Sequence, residues 1–309
     1  MNRRTALSTL AGSALVAREA LAQTPVVAQS AKPAARPILC AYSGNLAKIP
    51  YQELSGIVRA MGYEGLDLTV MPGGHVDPSL YMVDLDRAFQ TIQSAGMDLP
   101  MVTTSFTSAS QPYAYAILYV SAMLGAKFCR LGTWPPAPAT AADPNAQAAT
   151  MRAMMLRNDL TQLSVTGQRC KITPLLANHA GSYPGRSIPE AETMLNGIDR
   201  SAFGYCFDAA QAVIEARSAE GWVAALQSAL PRLGAVAVSD VTIDSAGVVR
   251  PCPLGDGVID WKKFFSLLAA ARFRGPVSLH MDYETHSEVN AMTKDLAFAR
   301  ARVEEAWPL

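Results

Sequence analysis

Four histidines and a few aspartates carry most of the acid/base chemistry open to this 309-residue sequence. His75, His179, His280 and His286 titrate near neutral pH and can move protons without a metal. Asp67, Asp208, Asp240 and Asp282 add carboxylates for proton transfer or for holding a cation. Their setting says more than their number. Asp67 lies in the run GYEGLDL, Asp208 ends GYCFD, Asp240 ends VAVSD, and Asp282 follows His280, which closes RGPVSLH. His75 and His179 also come soon after short apolar runs of β type, and no histidine falls in a helical segment.

Other residues stand in comparable places. Trp134, in LGTWPP, follows a β-type run and could serve as an aromatic platform for a ligand; packing at a rim is the competing reading. Gly73-Gly74-His75 makes a flexible turn able to bring His75 over a pocket. Arg130 and Lys171 lie within β-type runs, where either an anionic group or an internal ion pair would suit them. Asp208 directly precedes the helical stretch 209–217, so a helix N-cap competes with a role in a site. Asp282 reads equally as a solvated loop acid.

The elements that must position these groups follow a simple alternation. Short β-type runs are predicted at 38–42, 65–70, 99–104, 127–132, 171–176, 203–207, 235–238 and 277–280. Between them lie segments of helical period, such as 51–61, 84–95, 113–124 and 260–271. In the first helix Leu54, Ile57, Val58 and Met61 share one face. Gly62, Gly96 and Gly125 stand where a left-handed C-cap is favoured. Met151, Met154, Met155 and Leu156 are expected to form the buried face of another helix. Eight strands alternating with helices predict a single parallel (β/α)8 barrel, whose working face is the C-terminal end of its strands. An open doubly wound sheet is the alternative, but no Gly-rich phosphate loop follows the first strand.

The first 22 residues read differently. Arg3-Arg4, a weakly apolar stretch 5–17 and then Ala20-Leu21-Ala22 form the three parts of an export signal with a small-x-small cleavage site. The paired arginines and the late Arg18 suit a twin-arginine signal; a frayed N-terminal helix is the plainer alternative. Residues 23–36 read as a Pro/Ala-rich tether and 37–309 as the barrel. The expectation is a periplasmic or secreted protein without a membrane span.

The whole sequence has 26 basic and 26 acidic residues, and without Arg3, Arg4, Arg18 and Glu19 it has 23 against 25. No Lys/Arg run exceeds two, so nucleic acid is not an expected partner. Cys40, Cys129, Cys170, Cys206 and Cys252 contain no CxxC pair, and most look like small core residues.

GYEGLDL, ANHAG at 177–181, FDAAQ at 207–211, PLGDGVIDWKKFF at 253–265 and RGPVSLH at 274–280 together resemble the xylose-isomerase-like barrels. That superfamily includes sugar phosphate isomerases/epimerases and type-2 AP endonucleases, and the likeness runs over roughly 37–306. DLTVMPGGHV is similar to a narrower branch of exported bacterial members. The resemblance implies one divalent metal held by Glu, Asp, His and Glu from strands five to eight. Here Ala177 and Ala237 stand at two of those positions, Asp208 is kept, and His280 replaces the last Glu. Gln211 stands where a substrate-contacting His is usual.

Asp208 and His280, with Asp240 and then His179 or Asp282, are the ligands left for a divalent metal (Mn, Mg or Zn), which so thin a set would hold weakly. The isomerase mechanism does not carry over intact, because both proton-exchanging glutamates are gone. His179, His280, Asp208 and Asp67 are the candidate acid/base groups. Trp134, His75, Gln211 and Asp282 are the candidate substrate contacts. The expected function is an exported isomerase/epimerase-like enzyme acting on a sugar or polyol by isomerisation, epimerisation or elimination. A catalytically degenerate barrel that binds carbohydrate without turnover is the second reading. A DNA-repair endonuclease is set aside, since it needs a multi-zinc site and a basic surface. Replacing Arg3 and Arg4 by lysine is expected to trap uncleaved precursor in the cytoplasm; cell fractionation showing normal export would refute the twin-arginine reading.

Overall fold

Eight of the predicted strands appear within a residue or two of where the apolar runs place them. The computed structural model describes residues 36–136 and 146–308. The predicted leader and all of the tether except Arg36 lie outside the described residues. Arg36 is anchored by a two-pronged ion pair to Glu64, at 2.6 and 3.0 Å.

Strands β1 (Leu39–Tyr42), β2 (Gly65–Val70), β3 (Asp98–Thr104), β4 (Phe128–Arg130), β5 (Thr173–Ala177), β6 (Gly204–Asp208) and β7 (Leu233–Val238) pair in parallel, each beside the next in sequence. After β7 comes an antiparallel hairpin, β8 (Asp240–Ile243) with β9 (Val249–Cys252), outside the barrel. Strand β10 (Val277–Leu279) then pairs with both β7 and β1 and closes the cylinder. All eight barrel strands run the same way, so their C-terminal ends share one rim.

The helices between them are α1 (Tyr51–Met61), α2 (Tyr81–Ser94), α3 (Ala114–Met123), α4 (Ala146–Cys170), α5 (Ile188–Met194), α6 (Ala209–Ala216), α7 (Gly221–Ala229), α8 (Trp261–Ala270) and α9 (Glu288–Ala306). In α1, Leu54, Val58 and Met61 are buried and Ile57 is partly so, as the period requires. Gly62, Gly96 and Gly125 take φ of 100°, 68° and 108°, the left-handed region that ends a helix with little strain only at glycine.

The methionine cluster does not behave as expected. The buried stripe of α4 runs through Leu160, Leu163 and Cys170, and Met151, Met154 and Met155 fall out of phase with it. They are 59%, 68% and 63% exposed. Lys171 is likewise no strand residue: it is exposed in a left-handed turn (φ 62°) before β5 begins at Thr173.

Two cores result from the strand alternation. One lies between the barrel and its helices. The other, inside the barrel, gathers Met101, Leu175, Cys206, Ala235 and Ala237 with Phe128 and Ala177 against them. This apolar cluster lies inside the lumen and reaches the C-terminal end of β5 at Ala177. The inward-facing residues further along the strands are mostly polar, and they line its open end.

Asp240, read from the sequence as the end of strand seven, instead begins the hairpin. Its buried carboxylate accepts the Trp261 indole N–H at 2.7 Å and the backbone N–H groups of Val241, Gly255 and Gly257 at 2.9, 3.0 and 3.3 Å. One side chain thus ties the hairpin to the LGDG turn and the start of α8. A Cβ at residue 257 would collide with that carboxylate, which accounts for the glycine there. Asp240→Ala would leave four donors without their partner, and the expected loss is about 3 kcal/mol of unfolding free energy. Urea unfolding with an unchanged slope checks this; a loss below about 1 kcal/mol would contradict it.

Candidate active site

The lumen holds a buried carboxylate at its centre. Asp67 has no exposed surface, and its two oxygens accept the hydroxyls of Thr103 at 2.7 Å and Ser278 at 2.8 Å. Ser278 is on β10 and Asp67 on β2, with β1 between them, so this bond crosses the barrel interior. The Ser278 hydroxyl also lies 3.2 Å from His280 Nε2, and the His280 ring stands 3.9 Å from Asp67.

The ring of Tyr42, at the end of β1, stacks on His280 with centroids 4.1 Å apart and planes 6° from parallel. Gly44 makes that placement possible, since a Cβ there would lie 2.5 Å from the tyrosine ring. Asn45 pairs with both the N–H and the C=O of Met281, at 3.0 and 2.6 Å, and so fixes the strand end that carries His280.

Arg130, at the end of β4, is the cation of this cluster. Burial works against its charge, but Cys206, Tyr42, Asp67 and Asp208 surround it and raise its pKa. Its Nε is buried without a hydrogen-bond partner among the described residues. Asp208 faces the same space from β6 while capping α6 through the Gln211 N–H at 3.1 Å. Both readings of Asp208 therefore hold at once. Asn178 exchanges two backbone hydrogen bonds with it, at 2.8 and 2.9 Å, and joins the ends of β5 and β6.

Burial dominates the electrostatics. It raises Asp67, against the pull of Thr103, Ser278 and Arg130. It pushes Asp208 up to about 7, with Asp282 adding to the rise and Arg130 opposing it. It holds His280 well below its ordinary value, and the Arg130 charge lowers it further. The site therefore combines a neutral imidazole with a carboxyl group that titrates near neutral pH, the pairing proton transfer requires.

The structure brings together Asp67, His280 and Asp208, with Asp282 exposed beside them at the rim. The other candidates are placed differently. His179 follows β5, but its Nδ1 sits 3.1 Å from the Ala180 carbonyl and its ring packs edge-on against Tyr183. Both ring nitrogens of His75 are engaged by the chain: Nδ1 by Thr69 at 3.2 Å, Nε2 by the Leu46 and Ile49 carbonyls at 3.2 and 3.1 Å. That histidine latches the loop after β2 to the loop after β1. Gln211 accepts the Ala180 N–H at 3.0 Å. Trp134 is 6% exposed under a cleft of about 650 Å³ lined also by Pro135, Pro136, Met151 and Met155, and its indole N–H has no partner among the described residues.

Tyr42, Thr103 and Ser278 were not singled out from the sequence. Strand parity points to one of them: Ser278 is two residues before His280 and must share its face.

The donor set does not fit a tightly held metal. Ala177 and Ala237 carry no ligand atoms, Asp240 is committed to Trp261 and three backbone N–H groups, and among the described residues no three His, Cys, Asp or Glu side chains are grouped to hold an ion. The expected combination of Asp208, His280 and Asp240 is thus not assembled.

Residues 55–302 match the family described as xylose isomerase-like TIM barrel. Among solved structures, the chain is similar to 3-keto-D-glucoside 4-epimerase from E. coli, with TM-score 0.65 and 15% identity over 86% of this chain and 100% of that one. It is similar to a xylose isomerase-like TIM barrel protein from Mycobacterium smegmatis in complex with magnesium (TM-score 0.67, 14% identity, 89% and 99% covered). It is also similar to D-allulose 3-epimerase from Methylomonas sp. (TM-score 0.63, 14% identity, 86% and 98% covered). At such identities the likeness is one of fold. No curated protein matches the sequence significantly. Among the described residues no helix is long and apolar enough to cross a membrane.

The Asp208 environment has a consequence for stability. Its carboxyl has a reference pKa of 3.8 and is held at about 7 in the fold. The folded state therefore binds this proton more tightly, and the contribution of Asp208 to stability falls as pH rises between those two values. Asp208→Asn is neutral throughout. The stability of wild type minus that of the variant is expected to decline from about pH 4 to about pH 7 and then level off. A difference independent of pH in urea titrations would contradict the assignment.

Proposed function

This chain belongs to the xylose isomerase-like TIM barrel family, and from that premise we propose that it is an exported enzyme acting on a neutral sugar or sugar-derived polyol by proton abstraction. The observation that carries the reading is the lumen itself. A neutral imidazole, His280, and a carboxyl titrating near 7, Asp208, flank Arg130 at the C-terminal rim of a barrel. One group can take a proton from a carbon next to a carbonyl while the other gives one to oxygen, and Arg130 and Tyr42 can hold the developing oxyanion. Return of the proton to the opposite face gives epimerisation, return to the neighbouring carbon gives isomerisation, and loss of a leaving group gives elimination.

Charge supports a neutral substrate. Arg130 is already faced by Asp67, and the exposed Asp282 adds negative charge at the mouth, which disfavours phosphate or carboxylate groups. The similar structures whose titles name epimerases of a keto-glucoside and of a ketose agree with a sugar ligand. The twin-arginine motif supports export. The second reading, a barrel that binds carbohydrate without turnover, is favoured by Ala177 and Ala237, which leave two family positions without chemistry.

Incubation of the mature protein in D2O with neutral ketoses, aldoses and 3-keto glycosides separates the two. The enzyme reading expects deuterium at a carbon beside the carbonyl, seen by NMR, and a loss on the order of 10²-fold or more in His280→Ala. Sugar binding with no deuterium uptake from any of these substrates would establish the degenerate barrel instead.

A further inference from the structure

We infer that Asp67, Ser278 and His280 form a directional hydrogen-bond relay that fixes the proton of His280 on Nε2 and presents the bare Nδ1 to the lumen as the base. The base role rests on the proposed function; the relay itself does not.

The direction follows from counting protons. An ionised carboxylate only accepts, and a hydroxyl has a single proton to give. Asp67 accepts from Thr103 on one oxygen and from Ser278 on the other; burial raises its pKa, and these two hydrogen bonds and the Arg130 charge oppose that rise. The Ser278 proton is thereby committed to Asp67. Its oxygen, 3.2 Å from His280 Nε2, can then only accept, so Nε2 must carry the hydrogen. A neutral imidazole has one ring proton, which leaves Nδ1 as a lone pair.

The surroundings keep that lone pair usable. Tyr42 stacked on the ring fixes its plane. Nδ1 has no hydrogen-bond partner among the described residues, and it is not one of their buried unpartnered polar atoms, so it reaches free space. In the reaction the substrate C–H bond breaks and a bond forms between that hydrogen and Nδ1. The C–H electron pair moves to the neighbouring carbonyl, whose oxygen becomes an enolate. The imidazolium so formed is stabilised through Ser278 by Asp67. Ser278 and Asp67 are positioning residues, and His280 is the catalytic one.

The test reads the tautomer directly. Mature protein labelled with 15N-histidine gives long-range 1H–15N correlations for each ring, and the His280 signals are assigned by their loss in His280→Gln. Near neutral pH, His280 is expected as the neutral form protonated on Nε2. Asp67→Asn can donate an amide hydrogen to Ser278, which turns the Ser278 proton toward Nε2 and moves the ring proton to Nδ1. Ser278→Ala removes the acceptor and is expected to give both tautomers. It should also lower kcat for solvent exchange on the order of 10-fold or more with little change in KM. A wild-type ring protonated on Nδ1, or a pattern unmoved in both variants, overturns the relay whatever the activity. The expected tautomers with no deuterium exchange on any sugar would leave the relay standing and overturn both the base role and the enzyme reading.

Discussion

A carboxylate sealed from water at the centre of the barrel sets the terms for everything around it. Burying an ionised group is costly unless hydrogen bonds and a counter-charge replace its hydration. Asp67 obtains them from three other strands: Thr103 on β3, Ser278 on β10 and Arg130 on β4. Two of those contacts, to Ser278 and Arg130, reach past the neighbouring strand, so satisfying one side chain fixes the identities of several others and the spacing between their strands. The same arrangement places His280 against Ser278 and leaves Arg130 directed between Asp67 and Asp208. The polar site is in this sense the consequence of one buried charge rather than a set of separate choices.

The family resemblance and the departures from it meet in this network. Where the resemblance implies a metal ringed by carboxylates and a histidine, two alanines, Ala177 and Ala237, line the lumen. The charge left behind is organised by Arg130, and proton transfer falls to an imidazole and a carboxyl group. An imidazole kept neutral by burial and by Arg130 suits a base, and a carboxyl raised to about 7 suits an acid. The barrel framework is the family's, whereas the groups at its mouth belong to a different acid/base arrangement.

Much of the fold was legible because parallel barrel strands are apolar on both faces and stand out as short runs. All eight were found, as were the glycine caps of three helices. The hairpin β8–β9 was missed because Asp240, so soon after the predicted strand 235–238, reads as a strand-end acid and not as the start of another strand. The barrel strand ends at Val238 as predicted, and only the ring of donors on Asp240, which come from residues up to 21 positions away, shows that Asp240 opens a separate hairpin. The methionines of α4 misled because an apolar cluster implies burial only when it is in phase with the rest of the helix, and theirs is not. The site was half legible. Asp67, Asp208 and His280 announced themselves by type, but Ser278, Thr103 and Tyr42 are ordinary strand residues whose roles arise from partners on distant strands. His75 looked equally reactive until the carbonyls of Leu46 and Ile49, brought to it by the fold, accounted for its second nitrogen.

That the chemistry belongs to the lumen, and not to the cleft beside Trp134, is tested most directly by a crystal structure of the mature protein with a bound neutral ketose or 3-keto glycoside. The lumen account places the sugar between His280 and Asp208, with a carbon beside the carbonyl facing His280 Nδ1 and the carbonyl oxygen directed at Arg130. A sugar seated only against Trp134 and Met155, with the lumen groups untouched, would contradict it.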